Sequence, residues 1–141
     1  MAYKIYPPEV LYNTITLPGS KSISNRVLIL NALSISNYEI KNLSVSEDTS
    51  VIKEAFASNT NQFDVRGAGT AMRFLTAFLS CVEGEWILKG SERMHERPIH
   101  PLVDTLITIG AQVEYLGNKG YPPLKIKGRI LNGGEVYLTA N

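Results

Sequence analysis

Twice along this chain a glycine turn gives way to a helical stretch with an arginine one turn inside it. That doubling constrains the fold more than any other feature. The first turn centres on Pro18-Gly19-Ser20-Lys21-Ser22, and the run Ile23 to Ile35 behind it contains neither Pro nor Gly. The second is Gly67-Ala68-Gly69-Thr70, and its helix carries Met72, Leu75, Phe78 and Leu79. The arginines are Arg26 and Arg73. After each helix the pattern predicts a strand, a helix and a strand, so the chain reads helix–strand–helix–strand twice. Two copies of one supersecondary unit argue for an internal repeat in an α/β protein.

Residues 3–6 and 12–17 read as extended, with Pro7 and Pro8 as a break between them. Ile23, Val27, Leu28, Leu30 and Leu33 make the first helix apolar around most of its circumference, which predicts a largely buried helix. Asn37 to Leu43 reads as a strand with Tyr38 and Ile40 facing the core. Ser46-Glu47-Asp48 reads as an N-cap and an acidic first turn. Val51, Ile52, Ala55 and Phe56 then form a helical stripe, ended by Asn59-Thr60-Asn61, and Phe63 to Val65 is a short strand. In the second copy Glu85 to Leu88 is a strand and Ser91 to Arg97 a loop. Pro98 suits the first turn of a helix that carries Leu102, Leu106, Ile107 and Ile109 and closes at Gly110. Gln112–Leu116 and Leu124–Lys127 alternate as half-buried strands do. Gly133-Gly134 precedes a last strand, Glu135 to Leu138.

Each glycine turn sits at a helix N-terminus, where free N–H groups and the positive dipole end attract anions. Ser22 and Arg26 are i and i+4 and share a helix face, and Lys21 stands at the mouth. Hydroxyl, ammonium and guanidinium thus converge in a way that suits a phosphate or carboxylate. A capped helix with solvated basic residues has the same pattern. In the second turn Gly67 and Gly69 let the backbone approach a ligand, and Thr70 and Arg73 share a face. A tight turn between buried elements would read alike. A third cluster holds Glu92, Arg93, His95, Glu96, Arg97 and His100. Arg97 precedes Pro98, so its backbone is biased to extended and its side chain can project from the loop. The rest reads as a solvated charged loop. Two histidines five apart lack a metal-ligand spacing, so no metal is expected.

Composition narrows the classes. With 141 residues, 44% hydrophobic and 19% charged, the chain reads as one soluble globular unit. A net charge of +1 gives no reason to expect nucleic acid or a membrane surface as partner. No apolar run is long enough to span a bilayer, and the N-terminus lacks a signal peptide's apolar segment, so a cytoplasmic location is the default. Cys81, the single cysteine, lies in the apolar run Phe78 to Val82 and reads as inert packing.

Three stretches in order carry a resemblance: Leu17-Pro18-Gly19-Ser20-Lys21-Ser22-Ile23-Ser24-Asn25-Arg26, Gly67-Ala68-Gly69-Thr70-Ala71-Met72-Arg73 and Arg93-Met94-His95-Glu96-Arg97-Pro98-Ile99. From about Thr14 to its last residue the chain resembles the 5-enolpyruvylshikimate-3-phosphate synthase family. The resemblance implies an inside-out α/β barrel, each domain built from three βαβαββ units around buried parallel helices. It divides the chain into an extended segment (1–13), a first unit (14–66), a second (67–132) and the start of a third (133–141), about two of the three units of one domain. It implies transfer of the enolpyruvyl group of phosphoenolpyruvate to the 5-hydroxyl of shikimate 3-phosphate, without metal or organic cofactor. Lys21, Ser22 and Arg26 would contact shikimate 3-phosphate. Lys21, Gly69 and Arg97 would contact phosphoenolpyruvate, with Thr70 and Arg73 as support for the pocket.

The chain departs from the family pattern in having Gly67 for a usual Asn and Phe74 for a frequent Pro. It also looks short between Asp48 and Gly67. It stops before an expected Ser-Ser-Gln motif and reads as an N-terminal fragment whose partner is the missing C-terminal part of the same enzyme, the source of the acid–base groups. Such a fragment is expected to be inactive alone. Two other readings stand beside it. One is a non-catalytic anion-binding module. The other is the sister transferase acting on UDP-N-acetylglucosamine, which typically has Lys-Asn where this chain has Lys21-Ser22 and relies on a reactive loop cysteine.

Overall fold

A computed structural model of the chain describes residues 3–7, 14–34 and 38–137. Among these residues five helices and four strands follow in order: α1 (Lys21–Leu33), α2 (Glu47–Ala57), β1 (Gln62–Asp64), α3 (Gly69–Cys81), β2 (Gly84–Lys89), α4 (Glu92–His95), α5 (His100–Thr108), β3 (Gln112–Tyr115) and β4 (Leu124–Gly128). The strands form one sheet in the order β1-β2-β4-β3. β1 and β2 are parallel, with Phe63 opposite Leu88, and α3 makes the crossover that a parallel pair requires. β4 runs antiparallel to both neighbours, with Ile126 opposite Trp86 on one side and Val113 on the other. From β1 to β4 the order is therefore βαβαββ, with the single turn of α4 inserted before α5.

Alternation decides the face of this sheet that is covered. Phe63, Leu88, Leu124 and Ile126 are buried, while Lys125 and Lys127 between and beyond them reach outward. Met72, Leu75 and Leu79 recur at helical spacing on α3 and are buried in the same core as these strand residues. Each such side chain contributes about 1.5–3 kcal/mol by leaving water. Thr76 and Ser80 lie on α3 too, fully buried, and each satisfies its hydroxyl on the carbonyl four residues back, at 2.7 Å. α2 adds Val51 and Ile52 to this core, and α5 adds Val103.

Several expectations need correction. α1 begins at Lys21, two residues before Ile23, because Ser20 caps it; Ile35, its expected last residue, lies outside the described residues. α1 is also not largely buried. Only Ser24, Asn25 and Leu28 are buried, while Ile23, Leu30 and Leu33 are exposed. Ser24 and Asn25 hydrogen-bond to Ser44 and Thr49, Leu28 joins the core with Ile29 packed against it, and the rest of the apolar girth stays open. Residues 38–43 form no strand: Asn42 adopts φ 54, which breaks the extended run, and Tyr38 is exposed. Asn37 lies outside the described residues.

Cys81 is exposed rather than packed. It is two residues past buried Leu79, and two residues carry a helix about 200° around its axis. The loop 91–97 contains the short α4. Pro98 lies outside α5, and Pro101 takes the early helical position expected of it, because Ile99 is the N-cap. Gly110, with φ +100, follows the C-cap Ile109, and Ile107 is exposed. Residues 14–17 and 135–137 form no strand, while 12, 13 and Leu138 lie outside the described residues. Among the described residues no helix is long and apolar enough to cross a membrane.

Candidate anion-binding site

The first turn is built by its cap. Ser20 has extended backbone and its hydroxyl accepts the Ile23 N–H at 3.4 Å, which makes Lys21 the first helical residue. Gly19 is required here: a Cβ would run into the Asn42 carbonyl, which crosses the turn. Arg26 folds back along α1, and its Nη1 donates to both the carbonyl and the hydroxyl of Ser22, each at 3.0 Å. The same guanidinium lies 5.9 Å from the centre of the Phe74 ring on α3, a cation–π distance. Phe74 thus gives Arg26 a second support, and α3 keeps the backbone N–H that a proline at this position would remove.

The second turn presents the N-terminus of α3. Its N-cap, Ala68, offers no side chain to the free N–H groups. Gly69 is buried beneath the guanidinium of Arg97; a Cβ on Gly69 would lie only 2.8 Å from Arg97 Cζ. Gly67 differs, for a Cβ there would meet just Glu47 Oε2 at an ordinary 3.6 Å. Arg73 ties this turn to the Arg97 loop, donating to Gly69 O at 3.3 Å and to Pro98 O at 3.1 Å. Arg26 and Arg73 thus reach back alike to the carbonyl four residues before. The exposed pair Arg97-Pro98 is held between two buried anchors, Met94 of α4 and Ile99, whose N–H donates to Gly120 O at 2.9 Å.

The residue that joins the two turns was not among the sequence candidates. Asp48, in the first turn of α2, places Oδ2 at 3.6 Å from Lys21 Nζ and accepts the Thr70 N–H on Oδ1 at 3.1 Å. Sequence reasoning accounts for Asp48 as an acid at a helix N-terminus. That local explanation hides the tertiary one. Lys21 reaches the start of α3 through Asp48, Arg97 stands over the same start at Gly69, and Ser22 and Arg26 follow Lys21 on α1, with Arg26 over Phe74 one turn into α3. Basic and backbone donors of this kind can hold phosphate and carboxylate groups.

The other charged candidates disperse. Glu92, Arg93 and Glu96 are exposed, and His100 pairs with Asp104 of its own helix at 3.7 Å. Among the described residues no three His, Cys, Asp or Glu side chains group so as to hold a metal. Cys81 ends α3 at the opposite pole from Gly69, about 18 Å along the helix. A groove of about 670 Å³, lined by Leu28, Phe56, Phe63, Phe78 and Trp86, contains none of the anion-site residues.

Comparison with known proteins bears on the family and the fold. Residues 5–58 and 50–141 match the model of the family described as EPSP synthase (3-phosphoshikimate 1-carboxyvinyltransferase). A 3-phosphoshikimate 1-carboxyvinyltransferase of Bacteroides fragilis (strain YCH46) is 48% identical over 141 residues, covering 100% of this chain and 34% of the relative. One from Aliivibrio salmonicida is 43% identical, covering 94% of this chain and 37% of the relative. The chain therefore spans about a third of the length of the curated relatives it matches. The EPSP synthase structure from Acinetobacter baumannii superposes with a TM-score of 0.70 over 81% of this chain and 31% of its own, at 23% identity, so the fold is shared.

Proposed function

Since the chain belongs to the EPSP synthase family, we propose that it supplies one wall of the site where the enolpyruvyl group of phosphoenolpyruvate passes to the 5-hydroxyl of shikimate 3-phosphate. Lys21, Ser22 and Arg26 hold shikimate 3-phosphate. Lys21, Gly69 and Arg97 hold phosphoenolpyruvate, with Thr70 and Arg73 supporting the pocket. The observation that carries this reading is the convergence of Lys21 and Arg97 at the N-terminus of α3 through Asp48 and Gly69.

The chemistry asks for such a cluster. Two anionic substrates must lie together despite their repulsion, and preorganised cations lower that cost while orienting the reacting groups. A guanidinium can grip a carboxylate through two parallel hydrogen bonds, the role given to Arg97. In this reading the chain holds two units of the family repeat and the start of a third, which the like geometry of Arg26 and Arg73 supports. Proton transfer needs groups outside these residues, so the chain alone acts as an anion-binding module.

The test is a titration of the ¹⁵N-labelled chain with shikimate 3-phosphate, followed by amide shifts. Movement at Ser22, Arg26 and their neighbours is expected, with binding weakened but still measurable in Lys21→Ala and Arg26→Ala. Shifts absent from the wild-type chain, or unchanged in both variants, would refute the reading.

A further inference from the structure

A carboxylate beside an anion site is a paradox, because its charge repels the ligand. Asp48 is such a group. Its side chain is 14% exposed, against 51% for Lys21, so this ion pair is sheltered on the acidic side. It does two things with one carboxylate. Oδ2 holds the Lys21 ammonium, and Oδ1 caps α3 from another helix, at an N-terminus whose own N-cap is alanine.

The position of Asp48 is fixed from behind. Thr49, the next residue, is fully buried and donates its hydroxyl to Asn25 Oδ1 at 2.7 Å. Ser46 Oγ lies 3.0 Å from the same threonine hydroxyl, and the Ser46 N–H donates to Ser44 Oγ at 3.2 Å. The Ser44 N–H in turn donates to Ser24 Oγ at 2.9 Å. Ser24 and Asn25 are both buried on α1, one turn behind Lys21. At the α1–α2 contact this run of hydrogen bonds stands beside Leu28, Val51 and Ile52 of the shared core, and its directional partners fix the register between the helices, although Asn25 Nδ2 has no partner among the described residues. Lys21 carries a flexible four-carbon stem, and an ammonium unguided would sample many rotamers.

We propose that Asp48 is a positioning residue: it orients the Lys21 ammonium toward the mouth of α3 and locks the two glycine turns into one anion site. This rests on the anion-site reading above. The cost in repulsion is smaller than the gain from holding Lys21 in place. Charge and positioning therefore predict opposite signs. If Asp48 acted through its charge alone, Asp48→Asn would tighten anion binding. If it positions Lys21, the same change weakens binding although a negative charge has been removed.

The experiment is a titration of the 141-residue chain with inorganic phosphate and with phosphoenolpyruvate, read by amide shifts in the wild type, Asp48→Asn, Lys21→Ala and the double variant. Asp48→Asn is expected to weaken binding roughly three- to tenfold, and to have no weakening effect once Lys21 is alanine. A merely structural loss would instead weaken both backgrounds equally. Hydrogen exchange at the Thr70 amide, measured without anion, reads the cap separately. It should quicken in Asp48→Ala and stay slow in Asp48→Asn, whose amide oxygen still accepts. Equal or tighter binding by Asp48→Asn in a chain that does bind overturns the proposal. A wild-type chain that shows no anion response overturns the site reading itself, and the positioning role falls with it even where Thr70 exchange still reports the cap.

Discussion

At the scale of single residues, Gly69 and Gly67 look alike in sequence and differ in space. Any side chain at Gly69 meets the Arg97 guanidinium, whereas Gly67 has ordinary van der Waals room. Gly69→Ala is therefore expected to push Arg97 aside and weaken phosphoenolpyruvate binding by about tenfold or more, with a stability change of no more than about 1 kcal/mol, because what it strikes is the end of a flexible side chain. Gly67→Asn is expected to stay within about 0.5 kcal/mol of the wild type and keep its binding. Calorimetric titration and thermal melting of both variants check this. A Gly69→Ala chain that binds like the wild type would mean that Arg97 is not held against the turn. Helix spacing and turn chemistry, which are local, single out Lys21, Ser22 and Arg26 in the sequence, whereas Arg97 is singled out by the resemblance. Asp48 was illegible because its role is a distance across three helices, and a residue with a sufficient local explanation raises no flag.

At the scale of elements, the longer helices and the strands of the sheet were readable from periodicity, the single turn of α4 was read as loop, and the other errors fall where an element depends on partners. Residues 38–43 carry the alternation of a strand but have no neighbour to pair with among the described residues, and Asn42 turns the chain out of line. The apolar girth of α1 signals burial, yet its own buried residues are mostly polar, since hydroxyls and an amide make the contact with α2. β3 and α5 give a pH-dependent prediction. The Tyr115 hydroxyl is shielded and lacks a hydrogen-bond partner among the described residues. Burial first, and the Asp104 carboxylate second, push its acidity above the ordinary tyrosine range. In the unfolded chain this group loses its proton near pH ~10, while the folded protein retains it. Unfolded molecules then bind fewer protons than folded ones, so stability falls as pH rises through that region. Tyr115→Phe removes that part of the slope, and at neutral pH it is expected to be neutral or stabilising by up to about 1 kcal/mol, because an unsatisfied buried hydroxyl is deleted. Urea unfolding of both proteins near pH 8 and about pH 11 measures it. Equal alkaline losses in the two would contradict the assignment to Tyr115.

At the scale of the whole molecule, the exposed side of α1 and its neighbour α3 form an open apolar groove with Ile29, Leu30, Leu33, Phe74 and Phe78, beside the basic cluster. The anion site shares this openness, and the last prediction follows from it: the 141-residue chain does not catalyse enolpyruvyl transfer. The role given to Lys21, Arg26, Arg73 and Arg97 is to hold and orient anions, not to transfer protons. Of the nearby carboxylates, Asp48 is engaged by Lys21 and Thr70, and Glu47 is exposed. Positioning by itself could leave a residue of acceleration, because orientation contributes independently of acid–base groups. Here water reaches the cluster, since Lys21 is 51% exposed, and it screens the charges that would otherwise act at full strength. Phosphate release from the purified chain with phosphoenolpyruvate and shikimate 3-phosphate together is the measurement, with a Lys21→Ala chain prepared identically to control for contaminating host enzyme. The expected result is no difference between the two. Turnover near that of a full-length relative, lost on Lys21→Ala, would show that the groups moving protons lie within these residues after all.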